Sequence, residues 1–210
     1  MPAPDAAFYF DLASPFAYLA AERILHVLGA PAEWQPVLAR ELRAPTTESL
    51  VGEGSEVWRC EHERDAFCED VARRARAQDL QPLRWPSPFP FDSALAMRIA
   101  TYAKSIGRTV PFAQAAFRQA FAGGRSLAEM DNVLIAAAAC EMHPAAVTNA
   151  ADLRSVAAQL ATTTALAAQA GVTGVPAVRI GERVFDGEHA VEDAAAHMRA
   201  DRSKPTHLGR

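Results

Sequence analysis

Two kinds of hydrophobic patterning divide the chain. Phe8-Tyr9-Phe10 is a short continuous apolar run, after which Phe16, Ala20, Ile24 and Val27 recur at helical spacing as far as Gly29. Ser14 and Pro15 stand at the joint; serine is favoured at an N-cap and proline at the first helical position. The pattern therefore predicts a strand running directly into an amphipathic helix. Ala32-Glu33-Trp34-Gln35-Pro36-Val37-Leu38 reads as a second strand, giving a βαβ opening whose strands are parallel and whose crossover is right-handed.

A long helical region separates this opening from its completion. The polar stretch 40–55 is expected to be a loop, and from about residue 56 to Gly171 the apolar period is that of a helix. The first helix there is expected over about 55–78, with Trp58, Phe67 and Val71 inward and Arg73, Arg74 and Arg76 as a solvated face. Gln81 to Phe91 holds Pro82, Pro86, Pro88 and Pro90, so it must be a stiff extended connector, and Trp85, Phe89 and Phe91 ride on it. Leu95, Ile99, Tyr102 and Ile106 form the stripe of the next helix, and Ala113, Phe117, Ala120 and Phe121 that of one following Pro111. Ser126-Leu127-Ala128-Glu129 reads as a capping box opening a third.

His143-Pro144 interrupts the pattern, and one long helix is expected over about 151–170. Residues 177–180 and 183–185 then form a hairpin through Gly181-Glu182. A last helix is expected over about 188–200, with a disordered tail after Asp201.

With 210 residues, 50% of them apolar and 22% charged, the chain can bury one substantial core. A net charge of -4 gives no footprint for nucleic acid or an anionic membrane, so small-molecule chemistry is favoured. No apolar run is long enough to span a bilayer, and Met1-Pro2-Ala3-Pro4-Asp5 has neither a basic nor an apolar leader region, which predicts a cytoplasmic protein. Cys60, Cys68 and Cys140 fit a reducing compartment. Cys60 and His62 point to nearly opposite sides of a helix, so no metal site is expected.

Candidate chemistry gathers in two motifs. A strand that delivers a helix N-terminus at Ser14 builds a place for an anion, because N–H groups and the positive end of the helix dipole meet there. In Gly171-Val172-Thr173-Gly174-Val175-Pro176-Ala177 a glycine closes a helix and a Gly-Val-Pro turn enters a strand. A cis Pro176 would leave the backbone N–H and C=O of Val175 free for an extended ligand; the residues alone leave the isomer open.

These motifs, with Phe10-Asp11-Leu12-Ala13-Ser14-Pro15-Phe16-Ala17-Tyr18-Leu19-Ala20, Phe89-Pro90-Phe91-Asp92-Ser93 and Val184-Phe185-Asp186-Gly187, resemble the DsbA-like branch of the thioredoxin superfamily. Within it, the chain resembles the 2-hydroxychromene-2-carboxylate isomerases and kappa-class glutathione transferases. The resemblance covers nearly the whole chain and implies an α/β, thioredoxin-like fold with a large all-helical insertion. Its thioredoxin-like halves would be 1–50 and 160–202, its insertion 51–159 and its flexible tail 203–210.

Ser14 and Ala17 occupy the positions where redox members carry two cysteines. The resemblance thus implies a glutathione-dependent isomerase: Ser14 activates the thiol of glutathione, the co-substrate, for reversible addition to a conjugated aromatic acid. A kappa-class-like transferase, which would retain the sulfur adduct, is the alternative. Pro15, Phe16, Val175, Pro176, Gly187, Glu188 and His189 are the implied glutathione contacts, and a homodimer the implied assembly. Arg84, Trp85, Phe89 and Asp92 are the implied substrate pocket; read alone, Trp85 and Phe89 equally suit a core plug and Asp92 a helix-start carboxylate.

Two departures stand out. The family's asparagine after strand two is missing, and its Asp-Arg pair after the last strand's glycine is replaced by Glu188-His189. Another thiol, or a non-catalytic groove around Pro176, therefore stays open. A disulfide oxidoreductase is disfavoured, since every cysteine lies outside the joint.

Overall fold

The computed structural model describes residues 6–42 and 60–202, without the Arg202 side chain. Its centre is β1 (Ala6–Phe10), an apolar run without polar alternation because both of its faces are covered. β2 (Glu33–Pro36) pairs with it in parallel and β3 (Ala177–Ile180) antiparallel, while β4 (Arg183–Asp186) extends the sheet to the order β2-β1-β3-β4. Tyr9 joins Val37, Ala167 and Ala177 on one face of the sheet; Phe8 and Phe10 stack and meet Trp34 on the other.

α1 (Pro15–Leu28) leaves β1 and ends at Gly29, whose φ of 62 is the left-handed cap a Cβ would strain. After β2 a single turn, α2 (Ala39–Leu42), takes the start of the expected loop; the rest of that loop, Trp58 and the tail lie outside the described residues. α3 (Glu61–Ala77), α4 (Ala94–Ser105), α5 (Thr109–Phe121), α6 (Met130–Ala138), α7 (Pro144–Asp152) and α8 (Arg154–Gln169) separate β2 from β3. α9 (Ala190–Arg202) closes the described chain and packs against α1 and β3. The fold is a thioredoxin-like mixed sheet with helices inserted between its halves.

Aromatic rings join the two parts. Phe10 meets Phe117 of α5 at 5.9 Å, and Tyr18 of α1 meets both Phe117 and Phe121. Trp85 and Phe89 of the connector pack on Phe121 and on Phe67 of α3, which in turn meets Phe16 edge-on at 5.6 Å.

Several local expectations are corrected. No capping box opens α6: Ser126 Oγ accepts from Ala128 in a turn anchored by fully buried Leu127, and the helix begins at Met130. The helix expected over about 151–170 is α8, which starts slightly later at Arg154. His143-Pro144 does not merely interrupt the pattern but opens a separate helix, α7; Leu153 at ψ 120 ends α7 and caps α8 in one residue. Arg98 Nη1 donates to the Ala151 carbonyl at this break, satisfying an acceptor the helix has given up. On α4, Ile106 is exposed, and the buried face runs through Ala96, Met97, Ile99, Ala100 and Ala103. α4 packs against α5, α7 and α8, and small alanines let those helices approach it.

Candidate active site

The joint between β1 and α1 is the centre of the site. Ser14 adopts extended φ/ψ as the N-cap of α1, and its Oγ accepts the Ala17 N–H at 3.1 Å. Its carbonyl takes the Tyr18 N–H, and Pro15 has no N–H. The Phe16 N–H is left without a partner among the described residues. Ser14 is half-buried, so its hydroxyl proton and the Phe16 N–H can both meet a small anion from outside.

Beneath this joint lies Asp11, which is buried. It accepts the Ala13 N–H at 3.0 Å and the Ala39 N–H at 2.9 Å, tying the turn before Ser14 to the start of α2. Burial pushes its carboxyl above the ordinary range, opposed by those two N–H donors, by Ser93 and by the charge of Arg40. In the sequence Asp11 is marked only by being a lone carboxylate between Phe10 and Leu12.

The Val175–Pro176 bond is cis. Tyr9 pairs with Ala177, so the register continued by one residue sets Pro176 across from Phe10, at the end of β1 that leads to Ser14. The Gly187 N–H donates to the Pro176 carbonyl at 3.0 Å, drawing the start of the α9 segment to the same end. Val175 makes no backbone hydrogen bond among the described residues.

A cleft of about 120 Å³ opens beside the first turns of α1, where Phe16 and Leu19 form its apolar side. Arg74 and Gln78 face it from α3, Glu188 and His189 from the approach to α9. Arg74 is half-buried and turned to the cleft, whereas its neighbours Arg73 and Arg76 are exposed as expected. Its Nε donates to Asp70 at 2.7 Å, its Nη2 pairs with Glu188 at 2.7 Å, and its guanidinium lies 5.7 Å from the Phe16 ring centre. The hydrogen bond to Asp70 raises its pKa further, so it is a fixed positive charge. Glu188 turns its other oxygen to His189 Nε2 at 3.2 Å. In the same cleft Arg23 pairs with Glu192, and the atoms Arg23 Nε, Glu192 Oε2 and Gln78 Oε1 are buried without a hydrogen-bond partner among the described residues.

Of the expected contacts, Phe16, Glu188 and His189 line the cleft, and Ser14 and Pro15 precede it on α1. Arg84, Trp85, Phe89 and Asp92 do not line it. Phe89 is buried among Trp85, Phe67 and Phe121, filling core between the connector and α5. Arg84 is exposed. Asp92 pairs with Arg40 at 3.0 Å and accepts the Ala94 N–H at 2.9 Å at the start of α4.

All three cysteines are free and remote from the joint in sequence: Cys60 is exposed, and burial pushes the thiols of Cys68 and Cys140 up. Neither Cys68 nor Cys140 therefore has the lowered pKa of a redox nucleophile. Among the described residues no group of His, Cys, Asp and Glu is arranged to hold a metal ion, and no helix is long and apolar enough to cross a membrane.

Three solved structures share the fold. A 2-hydroxychromene-2-carboxylate isomerase superposes with a TM-score of 0.77 at 17% identity, over 95% of this chain and 99% of its own. A probable DsbA oxidoreductase from Streptomyces coelicolor gives 0.77 at 19% identity, over 98% and 92%. The cytosolic disulfide reductase DsbM from Pseudomonas aeruginosa, in its structure with GSH, gives 0.63 at 15% identity, over 95% and 99%. No curated protein matches the sequence. The model of the DSBA-like thioredoxin domain matches residues 7–199. With that match spanning both halves of the sheet and every inserted helix, the chain belongs to the DSBA-like thioredoxin domain family.

Proposed function

We propose that the protein is a glutathione-dependent isomerase of small conjugated acids, in which Ser14 activates the thiol. One observation carries this reading: a serine hydroxyl beside an unpartnered Phe16 N–H at the start of α1, in a chain whose cysteines all lie elsewhere. A free alkyl thiol has a pKa near ~8.5, so only a few per cent is thiolate at pH 7. Lowering it by about two units requires roughly 2.7 kcal/mol. A hydrogen bond to a charged group contributes about 1.5–3 kcal/mol and the helix dipole about 0.3–1 kcal/mol, which together suffice. Since Ser14 Oγ accepts from Ala17, its own proton is available to the sulfur.

The other residues present suit a thiol tripeptide. The open backbone of Val175 offers strand-like pairing to a cysteinyl unit, and the charged cleft beside Phe16 suits a polar end. Glutathione supplies the sulfur nucleophile, which adds reversibly to the conjugated acid and leaves again once the former double bond has rotated. Ser14 holds the sulfur as thiolate before addition and receives it again on elimination. In this reading the partner is a small molecule, the compartment is the cytoplasm and the assembly is a homodimer. Shared fold with an isomerase favours rotation over retention of the adduct, the kappa-class transferase alternative.

Calorimetry of glutathione binding across the thiol's titration tests the reading, followed by product analysis with conjugated aromatic acids. Proton release on binding that shrinks in Ser14→Ala, with substrate isomerised and glutathione recovered, is the expected result. A stable sulfur adduct would identify a transferase, and no binding at millimolar glutathione would sink both.

A further inference from the structure

Between buried Val172 and buried Pro176 the chain crosses Thr173, Gly174 and Val175, which belong to no helix or strand. Backbone bonds hold both ends of this span. The Val172 N–H donates to the Ala167 carbonyl in the last turn of α8, and the Pro176 carbonyl accepts the Gly187 N–H, each at 3.0 Å. Inside the span, Gly174 and Val175 have no backbone hydrogen bond among the described residues. A Cβ added at Gly174 would meet nothing within 4 Å, so no packing fixes the turn at that residue.

One side chain reaches into this gap. Asp186 Oδ2 accepts the Thr173 N–H at 3.3 Å and also the Thr173 hydroxyl. A carboxylate oxygen that takes two donors from one residue fixes that residue's backbone together with its side chain, and hydrogen bonds to an ionised acceptor are the stronger kind. Asp186 ends β4 directly opposite Ala177, and the next residue, Gly187, supplies the N–H to Pro176. Two consecutive residues at one strand end thus hold the loop on both sides of Val175, while the Val175 backbone itself is left open.

We propose that Asp186 is a positioning residue which, through Thr173, holds the Val175 backbone edge ready for a peptide-like thiol. This rests on the reading of that edge as the seat of a cysteinyl unit. Asp186 touches neither the thiol nor the acid. Without it the span would be ordered only when the ligand arrives, and ordering one residue's backbone lowers affinity by about 10-fold. With it the edge is shaped beforehand. Asp186 therefore acts on how tightly the thiol is held, whereas the ionisation of the sulfur belongs to Ser14 on α1. The two contributions are separable by experiment.

Calorimetric titration with glutathione in buffers of different ionisation enthalpy gives the affinity and the protons released per molecule bound, and amide hydrogen exchange reads the Thr173 N–H directly. Asp186→Ala is expected to open the Thr173 N–H to exchange and to weaken glutathione about 10-fold, with proton release at saturation and its pH midpoint as in wild type. Asp186→Asn keeps an amide oxygen for both Thr173 donors and is expected to recover most of the affinity. Thr173→Ser retains the clasp; Thr173→Val loses the hydroxyl and weakens binding. In the double variant Asp186→Ala with Thr173→Val the two losses do not add, because both remove one contact. Circular dichroism checks the fold of each variant. Unchanged affinity in Asp186→Ala, or a fall that Asp186→Asn does not recover, overturns the proposal and leaves Ser14's role intact. Weakening with recovery, but no proton release in wild type, sustains the clasp and removes the thiol activation; a wild type that binds no glutathione overturns both.

Discussion

The Ala17 N–H donates to Ser14 Oγ at 3.1 Å, so the hydroxyl that stands at the site also holds the start of α1. The two duties separate by substitution. Ser14→Ala loses the cap, about 1 kcal/mol, and with it the hydroxyl. Ser14→Asp still caps, and its charge suits the helix N-terminus, so stability stays within about 0.5 kcal/mol of wild type. Its carboxylate repels a thiolate. Urea midpoints combined with proton release on glutathione binding will show Asp stable but inactive, and Ala both weakened and inactive.

Asp11 gives a pH signature. Burial raises its folded-state pKa above the ordinary 3.8, so the folded state holds the proton more tightly than the unfolded one. Its contribution is full below about 3.8 and is lost as pH rises through the folded value. Asn at this position has no such dependence. The stability of wild type relative to Asp11→Asn is therefore expected to fall in urea titrations as pH rises above about 3.8. A constant difference would mean that the carboxyl titrates alike in both states. Asp11→Ala strands the Ala13 and Ala39 N–H groups, at about 1–3 kcal/mol each.

How far these groups could be read from sequence follows from where their partners lie. Ser14, Pro15 and Gly29 define α1 through near neighbours, and local spacing exposes them. Arg74 pairs with Glu188, 114 positions along the chain (188 − 74), so three arginines on a charged helix gave no hint which one turns inward. Leu153 carries no breaker signal, so the boundary between α7 and α8 is not marked locally; the Ala151 carbonyl freed there is taken by Arg98 of another helix. At Ser126 the capping-box letters are present, but burying Leu127 beside them requires a turn. Val175 and Pro176 were legible as a turn, whereas the isomer needed the sheet around them.

Phe117 joins the insertion to β1 through Phe10 and is fully buried. Phe117→Ala is expected to destabilise by about 3–5 kcal/mol. If the insertion and sheet unfold as one unit, fluorescence and circular dichroism will shift together in denaturant; split transitions would show that they are independent.

Gly123 and Gly29 predict different penalties for alanine. At Gly29 the added methyl meets nothing within 4 Å, and the cost is that of a left-handed residue, about 1–2 kcal/mol. At Gly123 it would sit 2.6 Å from the Gln119 carbonyl oxygen, and backbone must shift. Thermal unfolding should rank Gly123→Ala below Gly29→Ala.

The pairing of β1 with β3 also constrains how the protein is born. Phe8 lies beside Val178, about 170 residues later, so a ribosome adding ~5–20 residues per second needs roughly 10–30 s to deliver that partner. During this interval the apolar strand Ala6–Phe10 has one edge unpaired and must be shielded from neighbouring nascent chains. Truncations ending before residue 177 should accordingly stay bound to chaperones, with release following synthesis of the final hairpin.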